Sequence, residues 1–191
     1  MSLIINIKTD GGSMNKLPRR KNIRLKNYDY SRAGYYFITI CTQDKLKLFG
    51  EIINAESILN NRGEMIKKWI FQLENKFPHI SIHKYIIMPN HIHCIIILEP
   101  DLRVYPKNNT IKNKQYEHTG PPLPQIIQWF KTMTTNEYIK GVKNEIYPPF
   151  NKRIWQRNYY DRIIRNEQEY KKIYEYIETN PLKWENDKYY I

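Results

Sequence analysis

Two histidines separated by one residue are the first feature of this 191-residue chain that could do chemistry. His91 and His93 enclose Ile92 in a run rich in β-branched residues. In a strand, alternate side chains share a face, so both imidazoles would point the same way, with backbones about 6.5 to 7 Å apart. Two imidazoles converging from that separation can hold one divalent cation. The spacing also arises by chance, so a structural role for the pair stays open.

A tyrosine and an asparagine near the C-terminus form the second feature. A helix is predicted from about Asn166 to Thr179, because its apolar residues recur at helical spacing and Pro181 follows. At about 100° per residue, Tyr176 lies at the edge of that apolar stripe, and Asn180 lies one turn later on the same side. The helix would thus present a hydroxyl nucleophile beside an amide oxygen. Tyr176 as an ordinary boundary residue, and Asn180 as an ordinary helix end, are the bland alternatives.

The position of each tyrosine relative to the apolar stripe of the same helix indicates its role. The stripe consists of Tyr170, Ile173, Tyr174 and Ile177, so Tyr174 is the better structural tyrosine and Tyr176 the better chemical one. Asn166 and Glu169 have the spacing of a capping pair at the helix start.

The elements that must position these residues alternate between strand and helix patterns. Strands are predicted over 35–42, 48–53, 80–88, 91–98 and 153–164, and helices over 63–76, 123–140 (with Gly141 as a stop) and 166–179. The tight Pro89-Asn90 connection implies that its two flanking strands pair antiparallel. The sequence predicts an α+β fold with an antiparallel sheet and helices packed against it.

The formal net charge of +12 favours a polyanionic partner, and nucleic acid is the commonest of these. Aromatic residues make up 14% of the chain, and rings of this kind can stack on unpaired bases as well as fill a core. Charge and rings together favour DNA or RNA over solubility alone as the explanation.

The remaining composition predicts one cytoplasmic domain. Cys41 and Cys94 lie in apolar runs and predict a buried, reduced pair. No run approaches the about 18 apolar residues that span a bilayer, so no membrane partner is expected. A flexible basic segment is expected over 1–22, a single catalytic domain over 23–187, and a flexible internal loop over 99–122.

Three segments in register resemble the single-tyrosine HUH transposases, and most closely the REP-associated tyrosine transposases of bacteria. They are residues 88–93 (MPNHIH), 154–166 (IWQRNYYDRIIRN) and 176–181 (YIETNP), and the upstream run from Arg24 to Thr42 is similar to the same family. The resemblance covers about residues 20–185 and implies a ferredoxin-like antiparallel sheet with a tyrosine-bearing C-terminal helix. It implies that Tyr176 is the nucleophile and that His91, His93 and Asn180 hold Mg²⁺ or Mn²⁺.

The activity implied by the resemblance is cleavage and rejoining of single-stranded DNA near hairpin repeats, through a covalent 5′-phosphotyrosine. The basic residues near both ends are candidates for the DNA path, although each alone is more often a solvated charge: Arg19, Arg20, Lys21, Arg24, Arg153, Arg157 and Arg162. Trp155 and Tyr159 are candidates for base stacking, with core packing as the alternative.

Two other functions stay open at this point. Another HUH nickase, a replication initiator or a relaxase, would use similar residues, although relaxases usually place the tyrosine before the histidines. A non-catalytic nucleic-acid-binding derivative of the family would keep the charge without the chemistry. A monomer and a homodimer with its active site shared between subunits both fit the sequence.

Overall fold

The structure is a computed structural model that describes residues 28–99 and 120–190. The predicted basic segment over 1–22 lies outside the described residues, and so does most of the predicted loop over 99–122. The elements are β1 Gly34–Cys41, β2 Gly50–Ile53, β3 Glu56–Leu59, α1 Asn61–Lys76, β4 Ile80–Met88, β5 His91–Leu98, α2 Leu123–Lys143, β6 Tyr160–Ile164 and α3 Glu167–Thr179, followed by a 3₁₀ segment, Pro181–Asn186. Within the described ranges, no helix is both long and apolar enough to cross a bilayer.

The main sheet has four strands in the order β4-β5-β1-β6. Every neighbouring pair is antiparallel. Taken without the β2–β3 hairpin, the chain runs strand, helix, strand, strand, helix, strand, which is the ferredoxin-like arrangement. The predicted α+β class and antiparallel sheet are therefore confirmed. In this order β5 and β1 are central, while β6 forms an outer edge.

The two faces of the sheet have different coverings. Ile92, Cys94 and Ile96 of β5 belong to the main hydrophobic core, which includes the buried faces of α1 and α2. Ile95, on the opposite face, packs in a smaller cluster with the apolar residues of α3. Side chains alternate along a strand, so His91 and His93 share the face on which α3 lies.

Two local features differ from the sequence prediction, and a third agrees with it. β3 was not predicted; it forms a hairpin with β2 through Asn54 and Ala55, which both have positive φ, as a two-residue turn of this kind requires. The predicted stop at Gly141 was wrong, because α2 continues to Lys143 and the glycine instead gives the Tyr147 ring room to pack. Cys41 and Cys94 are free and buried, as expected.

The predicted strand over 153–164 is shorter in the structure, since regular pairing begins at Tyr160. The preceding segment is irregular but closely attached. Trp155 forms an isolated bridge with Thr42, and its indole N–H donates to Thr134 Oγ1 at 2.9 Å. The amide of Gln156 donates to the Cys41 carbonyl at 2.9 Å.

A buried lysine of α2 completes this attachment. The Lys131 ammonium donates to the carbonyl oxygens of Gln156 at 2.9 Å, Arg157 at 3.5 Å and Asn158 at 3.1 Å. Three successive carbonyls pointing at one ammonium fix the backbone of this turn, because each carbonyl that leaves the ammonium loses a charge-assisted hydrogen bond.

We expect Lys131→Met to lower the free energy of unfolding by about 1 to 3 kcal/mol, because it removes the charged donor that holds three carbonyls of this turn. Lys140→Met is the matched control: this lysine lies on the same helix but is exposed, so its loss should change stability by less than about 0.5 kcal/mol. Urea denaturation of both variants measures the difference. Equal midpoints would contradict a structural role for Lys131.

Candidate active site

Three of the four predicted site residues meet at one point. The Nε2 atoms of His91 and His93 lie 3.0 Å apart, and the Tyr176 hydroxyl lies 3.2 Å from His93 Nε2. Asn180, the fourth, is 1% exposed and lies at the end of α3 beside them. Both histidines are buried as well.

Helix α3 positions the tyrosine through its apolar face. Ile173 and Ile177 pack on Ile95 of β5 and Ile164 of β6, which fixes the rotation of the helix over the sheet. Tyr176 therefore projects from the edge of the packed face, as predicted from the helical period. The start of α3 is held by Asn166, whose side-chain oxygen accepts the Glu169 amide at 2.8 Å.

The orientation of His91 is set by the asparagine before it. Asn90 donates its amide nitrogen to the carbonyls of Lys45 at 3.2 Å and Tyr189 at 2.8 Å. Its side-chain oxygen is therefore the atom 2.8 Å from His91 Nδ1, and that nitrogen must carry the proton. His91 Nε2 is left with a lone pair directed into the site.

His93 is oriented by β1. Its Nδ1 lies 2.8 Å from the Thr39 hydroxyl, so its Nε2 faces His91 and Tyr176. Burial depresses the pKa of both imidazoles, to about 4 for His91 and well below the usual value for His93. Both rings are consequently neutral near pH 7, which is the form that binds a metal ion.

Asn180 has an amide whose two ends differ in their partners. Its nitrogen donates to Asp187 Oδ2 at 2.8 Å, which fixes the orientation because a carboxylate only accepts. Its Oδ1 is buried and has no hydrogen-bond partner among the described residues. A buried amide oxygen without a partner is costly, and a cation would satisfy it.

The Nε2 atoms of His91 and His93, together with Oδ1 of Asn180, fit a small divalent cation. Two ligands that are each about 2.1 Å from an octahedral ion, at right angles, stand about 3.0 Å apart. The Nε2 atoms of His91 and His93 have that separation, 3.0 Å. The amide oxygen of Asn180 supplies a harder ligand of the kind that Mg²⁺ and Mn²⁺ accept.

Asp187 is a site residue that the sequence prediction missed. Single ligand atoms of His91, His93 and Asp187 all lie within 4.8 Å of one another. The other carboxylate oxygen of Asp187 accepts the Tyr189 amide at 2.7 Å, so the residue is held in place. It lies beyond the 3₁₀ segment, where no helical or strand period relates it to the histidines; its only signal was an acidic side chain shortly after Pro181.

Tyr176 opens onto a basic cleft of about 670 Å³. Arg162, Lys183 and Lys188 line this cleft, and of these only Arg162 was predicted. Burial, together with the nearby Asp187 carboxylate, raises the pKa of Tyr176 to about 12, so the hydroxyl keeps its proton near neutral pH. A nucleophilic role for this tyrosine therefore requires a proton acceptor.

A second basic cleft of about 560 Å³ lies beside it and contains the other predicted arginines. Arg153, Arg157 and Tyr160 are among the residues that line this cleft. The prediction that Trp155 stacks on bases is corrected: its ring is 5% exposed and packs against Phe49 and Phe130 in the core. The Tyr159 ring is also buried and belongs to the same core. Arg24 and the more N-terminal basic cluster lie outside the described residues.

Comparison with known proteins supplies the family. An uncharacterized protein of Haemophilus influenzae is 38% identical over 175 residues, which cover 90% of this chain and 93% of that protein. A REP-associated tyrosine transposase of Escherichia coli is 24% identical over 155 residues, covering 81% of this chain and 70% of that protein. The chain is therefore homologous to REP-associated tyrosine transposases.

The fold agrees with this REP-associated transposase family. The solved structure of a REP-associated tyrosine transposase bound to a REP hairpin matches 84% of this chain and 73% of its own, with a TM-score of 0.53 and 18% identity. At that identity the match supports the ferredoxin-like fold alone. No protein-family model matches the chain.

The two buried histidines predict an acid-sensitive fold. Both have folded-state pKa values below the about 6.5 of an unfolded chain, so between about pH 6.5 and 5 the unfolded state binds more protons. The free energy of unfolding therefore falls as pH falls, by up to about 1.4 kcal/mol per pH unit for each histidine. Urea denaturation in EDTA across this range measures the slope.

Two glutamine variants separate these histidines from other acid-sensitive groups. His91→Gln and His93→Gln should each reduce the slope, because each removes a buried imidazole whose pKa folding lowers. An identical slope in wild type and His91→Gln would show that other groups control the acid response.

Proposed function

We propose that this protein cleaves and rejoins single-stranded DNA next to hairpin repeats, with Tyr176 as the nucleophile. One observation carries the proposal: the Tyr176 hydroxyl lies 3.2 Å from the imidazole of His93. This imidazole belongs to the buried pair of neutral histidines. The transposase relatives and the net charge of +12 support DNA as the substrate. The related solved structure holds a REP hairpin, which supports hairpin DNA in particular.

His91, His93 and Asn180 are the residues that would hold Mg²⁺ or Mn²⁺. When bound, such an ion supplies charge stabilisation to the oxygens of the scissile phosphate. The side chains of Arg162, Lys183 and Lys188 surround the cleft and oppose the remaining phosphate charge.

The covalent step starts at the Tyr176 oxygen. That oxygen forms a bond to phosphorus, and the bond from phosphorus to the 3′ oxygen of the preceding nucleotide breaks. The products are a 5′-phosphotyrosine and a 3′-hydroxyl, which takes up a proton. Attack by a 3′-hydroxyl on the phosphotyrosine reverses the step and joins two strands, because the phosphodiester bond energy is retained.

The tyrosine proton needs an acceptor during the attack. His93 Nε2 is the nearest nitrogen, but the same lone pair is the one available to a metal ion. The Asp187 carboxylate lies close enough to Tyr176 to raise its pKa, and it is an acceptor that His93 leaves free for this role. We therefore assign Asp187 a positioning role toward Asn180 and the acceptance of the Tyr176 proton.

One chain supplies all the residues of the proposed site. Tyr176 and both histidines come from the same molecule, so no tyrosine from a second subunit is required. This favours a monomer that acts in cis over a homodimer that exchanges its tyrosine helices.

Tyr176→Phe should abolish the covalent protein–DNA adduct while hairpin binding stays within about twofold, since only the nucleophilic oxygen is removed. Tyr174→Phe is the matched control: it lies two residues away on α3, its hydroxyl contacts Lys84 at 3.3 Å, and it should still form the adduct. Labelled hairpin oligonucleotides made from repeats flanking its own gene, incubated with Mn²⁺ and run on a denaturing gel, give the readout.

Two outcomes would contradict the proposal. An adduct formed by Tyr176→Phe would assign the nucleophile elsewhere. Hairpin binding by the wild type without any adduct, in Mg²⁺ and in Mn²⁺, would favour the non-catalytic DNA-binding derivative.

Removal of the metal should also stop cleavage. We expect EDTA to abolish adduct formation and Mn²⁺ to restore it, with Mg²⁺ binding more weakly because two of the ligands are nitrogens. Isothermal titration should show that Asn180→Ala weakens Mn²⁺ binding by at least about 10-fold. Asn186→Ala, an exposed asparagine of the same cleft, is the control and should bind as the wild type does. Undiminished cleavage in EDTA would remove the metal from the mechanism.

A further inference from the structure

Residues of strand β6 line both basic clefts and a third cavity. Tyr160, Arg162 and Ile164 alternate with their neighbours and so share one face of this edge strand. Tyr160 lines the cleft of Arg153 and Arg157, Arg162 lines the Tyr176 cleft, and Ile164 lines a cavity of about 360 Å³. Successive positions on one face are about 6.5 to 7 Å apart, so the three openings follow a line along β6.

The third cavity, which we call the aromatic pocket, has walls of ring side chains. Tyr35, Tyr170 and His83 form these walls, and the rest of the lining comes from Ile164, Arg165, Asn166 and Glu167. The Tyr35 and Tyr170 centroids are 5.9 Å apart and edge-on, and the His83 and Tyr170 rings are 5.5 Å apart. Tyr35 is 44% exposed, so much of its surface is open to a ligand.

The local backbone presents these rings to the pocket. An irregularity in the pairing of β4 with β5 lies between Ile82 and Lys84 and leaves His83 out of the ladder. Bulges of this kind re-aim a side chain. His83 Nδ1 then hydrogen-bonds with the Tyr170 hydroxyl, which fixes both rings although His83 itself is exposed.

We propose that the aromatic pocket binds one unpaired base of the DNA strand whose phosphate lies at Tyr176. This rests on the proposed function. Stacking on an open tyrosine ring suits any base, and Arg165 at the rim can donate to base edges or to a phosphate. The strand would run along β6, with the Arg153 and Arg157 cleft on the opposite side of Tyr176 holding the rest of the DNA.

The helix sets the distance between the pocket and the chemistry. Tyr170 and Tyr176 are six residues apart on α3, which is about 9 Å along the helix axis. At about 3.4 Å per nucleotide in a stacked strand, the bound base lies about two to three nucleotides from the scissile phosphate.

A fluorescent base locates the subsite. In the Tyr176→Phe protein, which cannot form the adduct, 2-aminopurine is placed at each successive position flanking the hairpin of the same oligonucleotides. We expect quenching at one position two or three nucleotides from the cleavage point. Tyr35→Leu and Tyr170→Leu, each added to that protein, should remove this quenching and weaken binding about 10-fold.

Phe71→Leu is the matched control, since this ring is 51% exposed and lies on α1, which belongs to the other face of the sheet. It should leave quenching and affinity unchanged. Tyr35→Leu decides the result if Tyr170→Leu fails to fold, because Tyr35 is already half exposed.

The outcomes separate this inference from the proposed function. Loss of all hairpin binding in the Tyr176→Phe protein, together with no adduct in the wild type, would overturn both. Normal hairpin binding and a normal wild-type adduct, with no position quenched or with quenching retained in Tyr35→Leu, would overturn the aromatic pocket alone.

Discussion

The alternation of side chains along β5 is the constraint on which the rest of the structure depends. Ile92 and Cys94 belong to the core that α1 and α2 cover, so His91 and His93 must face the other way. A shift of the register by one residue would bury both imidazoles under α1 and α2 and expose the isoleucines to α3. The strands on either side, β4 and β1, fix this register along the whole length of β5.

A buried polar cluster is stable only when its groups have partners, and here the partners also determine the chemistry. Asn90 holds the proton on the outer nitrogen of His91, and Asp187 turns the Asn180 oxygen away from itself. Each of these contacts leaves a lone pair directed into the site rather than satisfying it. The result is a cluster of nitrogen and oxygen atoms whose lone pairs point into the site. Such a cluster suits a cation and would otherwise be costly to bury.

The parts of this site that follow a period were predictable from the sequence. The period of two placed His91 and His93 on one face, and the period of 3.6 placed Tyr176 beside the packed stripe of α3. Local periodicity carries no information on how distant segments meet. The prediction that Tyr176 lies close to His93, which are 3.2 Å apart in the structure, therefore came from the family resemblance. Asp187 was missed because an irregular segment brings it back to the site.

The errors have the same origin. The aromatic ring of Trp155 is of a type that can stack on bases. In the structure its indole N–H donates a hydrogen bond to Thr134 of α2, and core rings pack against it. The irregular turn after it is held by Lys131, whose role as a donor to three carbonyls depends on tertiary contacts that no local pattern encodes. Composition indicates which residue types can bind nucleic acid. The packing of the folded chain decides which of those residues are exposed.

The cluster around Tyr176 is compatible with the reversible strand transfer that we propose. A phenol whose pKa burial raises to about 12 is a poor nucleophile in the resting site, so in the proposed mechanism it would attack only when a phosphate and its counter-charges are assembled. Arg162, Lys183 and Lys188 line the same cleft and become effective partners once a phosphate enters. In that mechanism the same weak resting reactivity would keep the site from reacting with DNA that is not correctly bound, because the tyrosine oxygen would gain its negative charge only where cations can stabilise it.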